Sequence, residues 1–299
     1  MEPLSLEELE KIFASYMAWK LDPKTWIIQF MNGTEYMYLL EGEEKALLLD
    51  TGYGSGTLRA FVEKLTDKPV IVANTHYHPD HAGGNGEFEK VYMSKGASID
   101  APSVEGSGAV PFDISKLPYP DYEKCYVTTG DSFDLGGRAV EVLEAKPAHC
   151  NSTLFFLDRG HKMVFTGDEF ESAQTLMYDN SNNPEAPYDV KERLDNLYEN
   201  AKMIYDLRDT YTYVLPNHNG TPICVDYISD YMELVKAIYR GDAVVEDKLN
   251  HPFIEMDPKA PTLCRVRWNH VSIFIVKSEL MKVYGKGEIE YGRSDDQII

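Results

Sequence analysis

The sequence predicts an α/β layered domain. Short apolar runs of strand length alternate with amphipathic helical stretches, and most connections between them are short. At 299 residues the chain is near the upper limit for one hydrophobic core. A single domain over residues 1–299 is therefore expected, with its core at about 25–245 and a further extension at about 246–299.

Ser5 and Glu8 have the spacing of a capping box, and Leu6, Leu9, Ile12, Phe13 and Met17 follow at helical intervals. Trp26 to Ile28, Tyr36 to Leu40 and Ala46 to Leu49 read as short strands, with Asn32-Gly33 a turn signal between the first two. A short helix near Leu58, Phe61, Val62 and Leu65 leads to Val70 through Ala73, a buried strand that ends at Asn74. Ala97 to Lys124 is rich in prolines and aromatics and poor in periodicity. It reads as a long irregular insertion, and loops of that length often act as lids.

Strands resume at Val140, at Leu154 to Leu157 and at Met163 to Phe165, followed by a polar loop from Asp179 to Pro187. Val190, Leu194, Leu197, Tyr198, Ala201, Ile204 and Tyr205 then mark an amphipathic helix. Tyr213 to Leu215 is a strand, and Val225, Ile228, Met232, Val235 and Ile238 mark another helix. The last fifty residues are β-rich, notably Val271 to Val276, and the polar tail from Gly292 to Gln297 is expected to fray. The sequence has no internal repeat and no low-complexity stretch.

Composition narrows the function classes. The formal charge is −20, from 29 basic and 49 acidic side chains, and no run of Lys or Arg offsets it. Such a chain repels phosphate backbones, so nucleic acid is not an expected partner. No stretch approaches the ~20 apolar residues that span a bilayer. Met1 to Ser5 lacks the basic and apolar segments of a signal peptide. Cys125, Cys150, Cys224 and Cys264 form no CxxC pair, which points away from a disulfide framework or a structural zinc cluster. A cytoplasmic protein with free thiols is expected.

The chemistry concentrates in the run from Thr75 to Gly84. His76, His78, Asp80 and His81 fall within six residues, just after a buried strand, in a chain with only eight histidines. In extended chain His76 and His78 can turn toward one metal, while Asp80 and His81, at a turn into the next segment, can face a second. Neutral imidazoles and carboxylates suit zinc, iron or manganese.

This HxHxDH run resembles the signature of the metallo-β-lactamase superfamily, and the other motifs of that family can be placed in order. Asp50 matches the first, His149 the third, Asp168 the fourth and His218 the fifth. The resemblance covers roughly residues 25–220. It implies a four-layer αββα sandwich of the metallo-β-lactamase type, here with lid insertions and a β-rich C-terminal extension. It also implies two divalent metal ions, zinc first, with iron or manganese as alternatives. His76, His78 and His149 would hold one, Asp80, His81 and His218 the other, and Asp168 would bridge them. Asp50 would support the site from behind its ligands, as outer partners that orient metal-bound histidines do. His161, His251 and His270 lack this context and read as structural.

The resemblance also narrows the branch. A bridging aspartate such as Asp168 is typical of glyoxalase II-like thioesterases, lactonases, phosphodiesterases and related hydrolases, whereas many true β-lactamases of the fold carry cysteine or serine there. Flavodiiron proteins usually have glutamate where His78 stands and carry an appended flavodoxin-like domain. One departure is His149-Cys150-Asn151-Ser152-Thr153, where many relatives read His-Thr-Pro-Gly-Ser. Cys150 could tune the site, but a small buried thiol in a tight turn is the plainer reading.

The expected function is a dinuclear metal-dependent hydrolase of an ester-like small molecule, a thioester, lactone or related acyl compound, acting through a metal-bridging hydroxide oriented by Asp80. A phosphodiester or phosphonate hydrolase and a non-hydrolytic metal-binding or redox-sensing protein are the alternatives. The insertions at about 97–124 and 172–190 would line the substrate pocket, with Tyr119, Tyr122 and Tyr178 as candidate liners. A small molecule is the expected partner, and a homodimer is allowed.

Overall fold

A computed structural model describes residues 16–31, 34–105, 114–178, 188–247, 249 and 259–286. Its strands are β1 (Tyr16–Asp22), β2 (Thr25–Phe30), β3 (Tyr36–Glu41), β4 (Ala46–Leu49), β5 (Val70–Ala73), β6 (Lys90–Met93), β7 (Glu123–Tyr126) and β8 (Ser132–Asp134). They continue with β9 (Ala139–Glu144), β10 (Leu154–Asp158), β11 (Met163–Gly167), β12 (Thr175–Leu176), β13 (Tyr213–Pro216), β14 (Val244–Glu246), β15 (Leu263–Trp268) and β16 (Val271–Val276). The helices are α1 (Leu58–Leu65), α2 (Pro79–Ala82), α3 (Ala97–Glu105), α4 (Val190–Asp206), α5 (Asp226–Arg240) and α6 (Lys277–Val283).

Side chains alternate between the two faces of a strand, so a strand buried on both faces must be apolar throughout. β4 and β10 are such strands, with every residue buried. Leu47 and Leu49 of β4 meet Leu154 and Phe156 of β10 in one core between two sheets. Ala46 and Leu48 point the other way, into a core closed by Leu58, Phe61 and Val62 of α1. Phe155 and Leu157 of β10 face Leu194, Leu197 and Ala201 of α4 and Tyr231, Leu234 and Ile238 of α5. Helix, sheet, sheet and helix thus stack as the αββα sandwich that the motifs imply.

The first sheet has seven strands in the order β1-β2-β3-β4-β5-β6-β7, antiparallel from β1 to β4 and parallel from β4 to β7. The second has five, β13-β11-β10-β9-β8, of which β11 and β13 run parallel. The β-rich extension forms a third sheet, β12-β16-β15-β14. Cys264, Val266, Val271, Ile273 and Ile275 of this sheet join the core around α4 and α5. The sheet also recruits β12, which lies far upstream and pairs Leu176 with Phe274. Among the described residues no helix is long and apolar enough to cross a membrane.

Some expectations are corrected. Met17 lies in β1, paired with Gln29, and not in a helix; the rest of that stretch lies outside the described residues. The segment Ala97 to Lys124 is not irregular throughout, because it starts with α3, contains a 3-10 turn at Ile114–Lys116 and enters β7. β6 and β7 have four residues each, and both carry charged residues, Lys90 in β6 and Glu123 and Lys124 in β7, which hid them from a search for apolar runs. The Asn32-Gly33 turn, the loop at 179–187, His251 and the tail at 292–297 lie outside the described residues.

Candidate metal centre

Strand ends bring the site together. β4 and β5 are parallel neighbours, Leu49 opposite Ala73, so Asp50 and the Thr75–His81 segment leave the sheet side by side. His78 is extended (φ −102°, ψ 161°) and Pro79 opens α2, which places Asp80 and His81 in a helical turn. β11 and β13 are likewise parallel, and Asp168 and His218 follow their ends. Gly167 lets Asp168 come close: its φ is +57°, and a Cβ there would lie 3.0 Å from Thr75 Oγ1. His149 arrives on the loop between β9 and β10.

The structure brings together all seven residues that the motifs single out as ligands. Ligand atoms of His76, His78 and His149 lie within 4.8 Å of one another, and so do those of Asp80, His81, Asp168 and His218. His149 Nε2 is 3.1 Å from His78 Nδ1, and His81 Nε2 is 3.2 Å from His218 Nε2. Asp168 Oδ2 stands between the groups, 3.6 Å from His76 Nε2, 3.8 Å from His149 Nε2 and 3.3 Å from both His81 Nε2 and His218 Nε2. Asp80 Oδ2 lies 3.1 Å from His218 Nε2 and 3.4 Å from His81 Nε2.

Behind the cluster, hydrogen bonds set the tautomers. His149 Nδ1 lies 2.9 Å from the Leu176 carbonyl, an acceptor only, so it donates there and leaves Nε2 as a lone pair. The third sheet, which holds β12, therefore aims His149. His81 Nδ1 lies 3.1 Å from Asp50 Oδ2, and its Nε2 points into the cluster in the same way. His76 Nδ1 meets Thr75 Oγ1 at 3.1 Å, and that hydroxyl donates to Asp50 Oδ2 at 2.6 Å. Lone pairs aimed at one another repel unless a cation lies between them. His76 Nε2, His78 Nε2 and Asp168 Oδ1 are also buried with no hydrogen-bond partner among the described residues. An N/O donor set of this kind fits divalent metal ions.

Asp50 is fully buried at φ 65°. It accepts from Thr75 N at 2.7 Å, Thr75 Oγ1 at 2.6 Å and Asn217 Nδ2 at 2.7 Å, in addition to His81. None of these partners belongs to the Thr51-Gly52 turn. Its side chain bonds to Thr75, His81 and Asn217 rather than to the turn that follows it.

Electrostatics divides the histidines. Burial drives His78 and His149 down to about 4 and His76 well below the ordinary imidazole value, so these three are neutral. Burial also acts to lower His81 and His218, but the Asp168 and Asp80 carboxylates reverse it, lifting His218 to about 10 and His81 well above normal. Asp80 and Asp168 resist the raising effect of burial because His81 and His218 hold them well below the carboxylate range. The paired carboxylates call for positive charge between them. Asp80 and His218 have side chains 20% and 12% exposed, against 0% for His76 and His81, which marks the open side.

Several groups around the site carry no motif. Glu35 is buried with both oxygens unpartnered among the described residues. Burial and then Asp80 push it up to about 7, against its own amide, His218 and His81. Glu169 accepts from His149 N at 3.2 Å and Asn200 Nδ2 at 2.7 Å, and burial lifts it to about 7. In a chain with 49 acids nothing local distinguishes these two. Asn217 could have been flagged by its place beside His218.

Apart from Tyr122, which with Tyr77 lines a cavity of about 600 Å³ beside Ala82 and Gly83, the other candidates read as structural. Cys150 is buried against Thr153 Oγ1 at 3.1 Å and is not among the converging atoms. Tyr178 packs with Leu249, Leu263 and Phe274, Tyr119 donates to Glu89, and Tyr122 pairs with Tyr77 at 2.8 Å. His161 pairs with Asp22 and His270 with Asp230.

Comparison with known proteins agrees with this fold. The family model "Metallo-beta-lactamase superfamily" matches residues 32–218. Over 208 residues the chain is 23% identical to an acyl-coenzyme A thioesterase, MBLAC2, of Gallus gallus, covering 61% of this chain and 71% of that one. It is 30% identical over 185 residues to a coenzyme F420H(2) oxidase of Methanothermobacter thermautotrophicus, covering 57% and 43%. It is 31% identical over 135 residues to a hydroxyacylglutathione hydrolase of Hyphomonas neptunium, covering 44% and 46%. A solved metallo-beta-lactamase from Pontibacter korlensis shares the fold with a TM-score of 0.55 and 21% identity, covering 74% of this chain and 98% of that one.

Proposed function

Because the chain belongs to the metallo-beta-lactamase superfamily and is a metal-dependent hydrolase of that superfamily, we propose that it is a dinuclear enzyme cleaving an ester-like small molecule, a thioester, lactone or related acyl compound. One observation carries the dinuclear reading. A single oxygen, Asp168 Oδ2, lies 3.3–3.8 Å from imidazole nitrogens of both ligand groups, as a bridging carboxylate requires.

His76, His78 and His149 would hold one ion, and Asp80, His81 and His218 the other, with zinc the first expectation. When bound, two such ions supply Lewis acidity and a water acidic enough to attack at neutral pH. The chain's own groups do the rest. Asp80, the more exposed carboxylate, accepts a hydrogen bond from the attacking water and orients it. Asp50 keeps His81 in the tautomer that leaves Nε2 free. The leaving group departs on the open side, where Asp80 and His218 reach solvent. Acyl substrates are favoured by the thioesterase and hydroxyacylglutathione hydrolase relatives. The oxidase relative motivates the redox alternative; against a flavodiiron-type chemistry stands His78, where proteins of that branch usually have glutamate. Residues 1–299 would form one domain, the third sheet being its extension.

The test is turnover by metal-loaded protein on a panel of thioester, lactone and phosphodiester substrates. Hydrolysis of an acyl member, lost in Asp80→Asn, is expected. Turnover of the phosphodiester alone, or of none, would overturn the acyl reading.

A further inference from the structure

The loop after His149 departs from the family pattern at Cys150-Asn151-Ser152, and the structure holds that departure from two sides. Asp100, fully buried in α3, accepts through Oδ2 from Asn151 N at 3.0 Å and from the Ser152 hydroxyl at 2.6 Å. Its Oδ1 accepts from Asn151 Nδ2 at 2.7 Å. Ser152 Oγ in turn accepts from the backbone N–H of Tyr77 at 2.9 Å, and Tyr77 sits between His76 and His78. On the far side Arg193 of α4 donates to Asn151 Oδ1 at 2.7 Å and to the Ala148 carbonyl at 3.3 Å. The turn before α3 leaves no slack, since a Cβ on Gly96 would lie 1.9 Å from the Asn151 carbonyl oxygen.

One carboxylate therefore ties together the two loops that carry His78 and His149, whose facing nitrogens are 3.1 Å apart. Charge-assisted bonds of this kind are short and stiff, and removing the acceptor would strand several buried donors at once. Asp50 differs, because its partners bear on both ligand groups, on His81 directly and on His76 through Thr75.

We infer that Asp100, acting through Asn151 and Ser152 and braced by Arg193, is the positioning residue for the His76–His78–His149 metal group alone. The inference rests on the metal reading proposed above. It makes the two ions separately tunable: α3 and α4 set one, while the Asp50 network touches both. A His149 ring displaced by a fraction of an ångström no longer meets the ion that His76 and His78 hold.

The test reads metal affinity, not turnover, by cobalt(II) or zinc titration against a chromophoric chelator. In a His218→Ala background the remaining tight ion reports the His76–His78–His149 group. In a His149→Ala background it reports the other. Asp100→Asn should weaken uptake about 10–100-fold in the first background, the usual span for outer partners of a metal site, and leave the second unchanged. Should Asp100→Asn fail to fold, Asn151→Ala removes only the side-chain links and should show the same one-sided loss. Equal loss in both backgrounds, or none in either, would overturn the inference. A wild-type chain that takes up fewer than two ions would instead overturn the metal reading beneath it.

Discussion

Asp50→Asn separates a metal-site role from a turn role most cleanly. Asparagine tolerates the left-handed backbone at φ 65° at least as well as aspartate, so the exchange adds little strain, whereas alanine would add some. Four donors face the carboxylate, three of them on Oδ2. The cheaper amide orientation keeps the oxygen toward those three and turns the NH2 toward Thr75 N. That strands one buried backbone N–H, at about 1–3 kcal/mol. It also removes the charge that fixes the His81 ring. Outer-partner losses of this type weaken metal binding about 10–100-fold, or about 1.4–2.8 kcal/mol at about 1.4 kcal/mol per decade. Chelator competition for zinc reads the affinity, and melts of the metal-saturated protein read the fold. Lower affinity with a modest stability change is expected. Unchanged affinity with a clear loss of stability would refute the reasoning and make Asp50 a turn residue.

Two further predictions concern the scaffold. Arg138 and Asp158 form a buried pair at 2.6 Å, far along the sheets from the site, so Asp158→Ala should cost about 3–5 kcal/mol in denaturant melts by stranding the guanidinium, with metal uptake of the folded protein unaltered. Burial pushes the Glu87 carboxyl from 4.5 up to about 7, against the amides of Arg59, Gly56 and Leu58 and the Arg59 charge. The native state then holds more protons than the unfolded chain between those values, so stability falls as pH rises from about 4.5 to about 7 and levels off above. Glu87→Gln lacks that loss, and its stability relative to wild type should climb across this window in melts taken at successive pH values; a pH-independent difference would contradict the assignment.

The sequence reveals the site more fully than the fold's margins, for a physical reason. Metal chemistry demands particular residue types at strand ends, so His76, His78, Asp80, His81, His149, Asp168 and His218 stand out as an ordered set. Strands buried on both faces, such as Leu47 to Leu49, show themselves by composition alone. β1 does not, because Met17 and Trp19 alternate with Tyr16 and Ala18 along an edge strand, and Met17 also fits a helical period. α3 is hidden by Pro102 within it and by the glycines that follow it. Thr75 and Asn217 sit beside His76 and His218 in the sequence, but their bonds to Asp50, and the placing of Asp100, Arg193 and the Leu176 carbonyl, come from long-range pairing that no local pattern encodes.

The central claim is that two divalent ions sit in one cluster joined by the Asp168 carboxylate. Metal analysis of the purified chain beside Asp168→Ala tests it most directly. The account predicts close to two ions per wild-type chain and marked loss of both in the folded variant, because Asp168 Oδ2 reaches both ligand groups. A wild-type chain that is folded and active without metal, or an Asp168→Ala chain that keeps both ions at undiminished affinity, would contradict it.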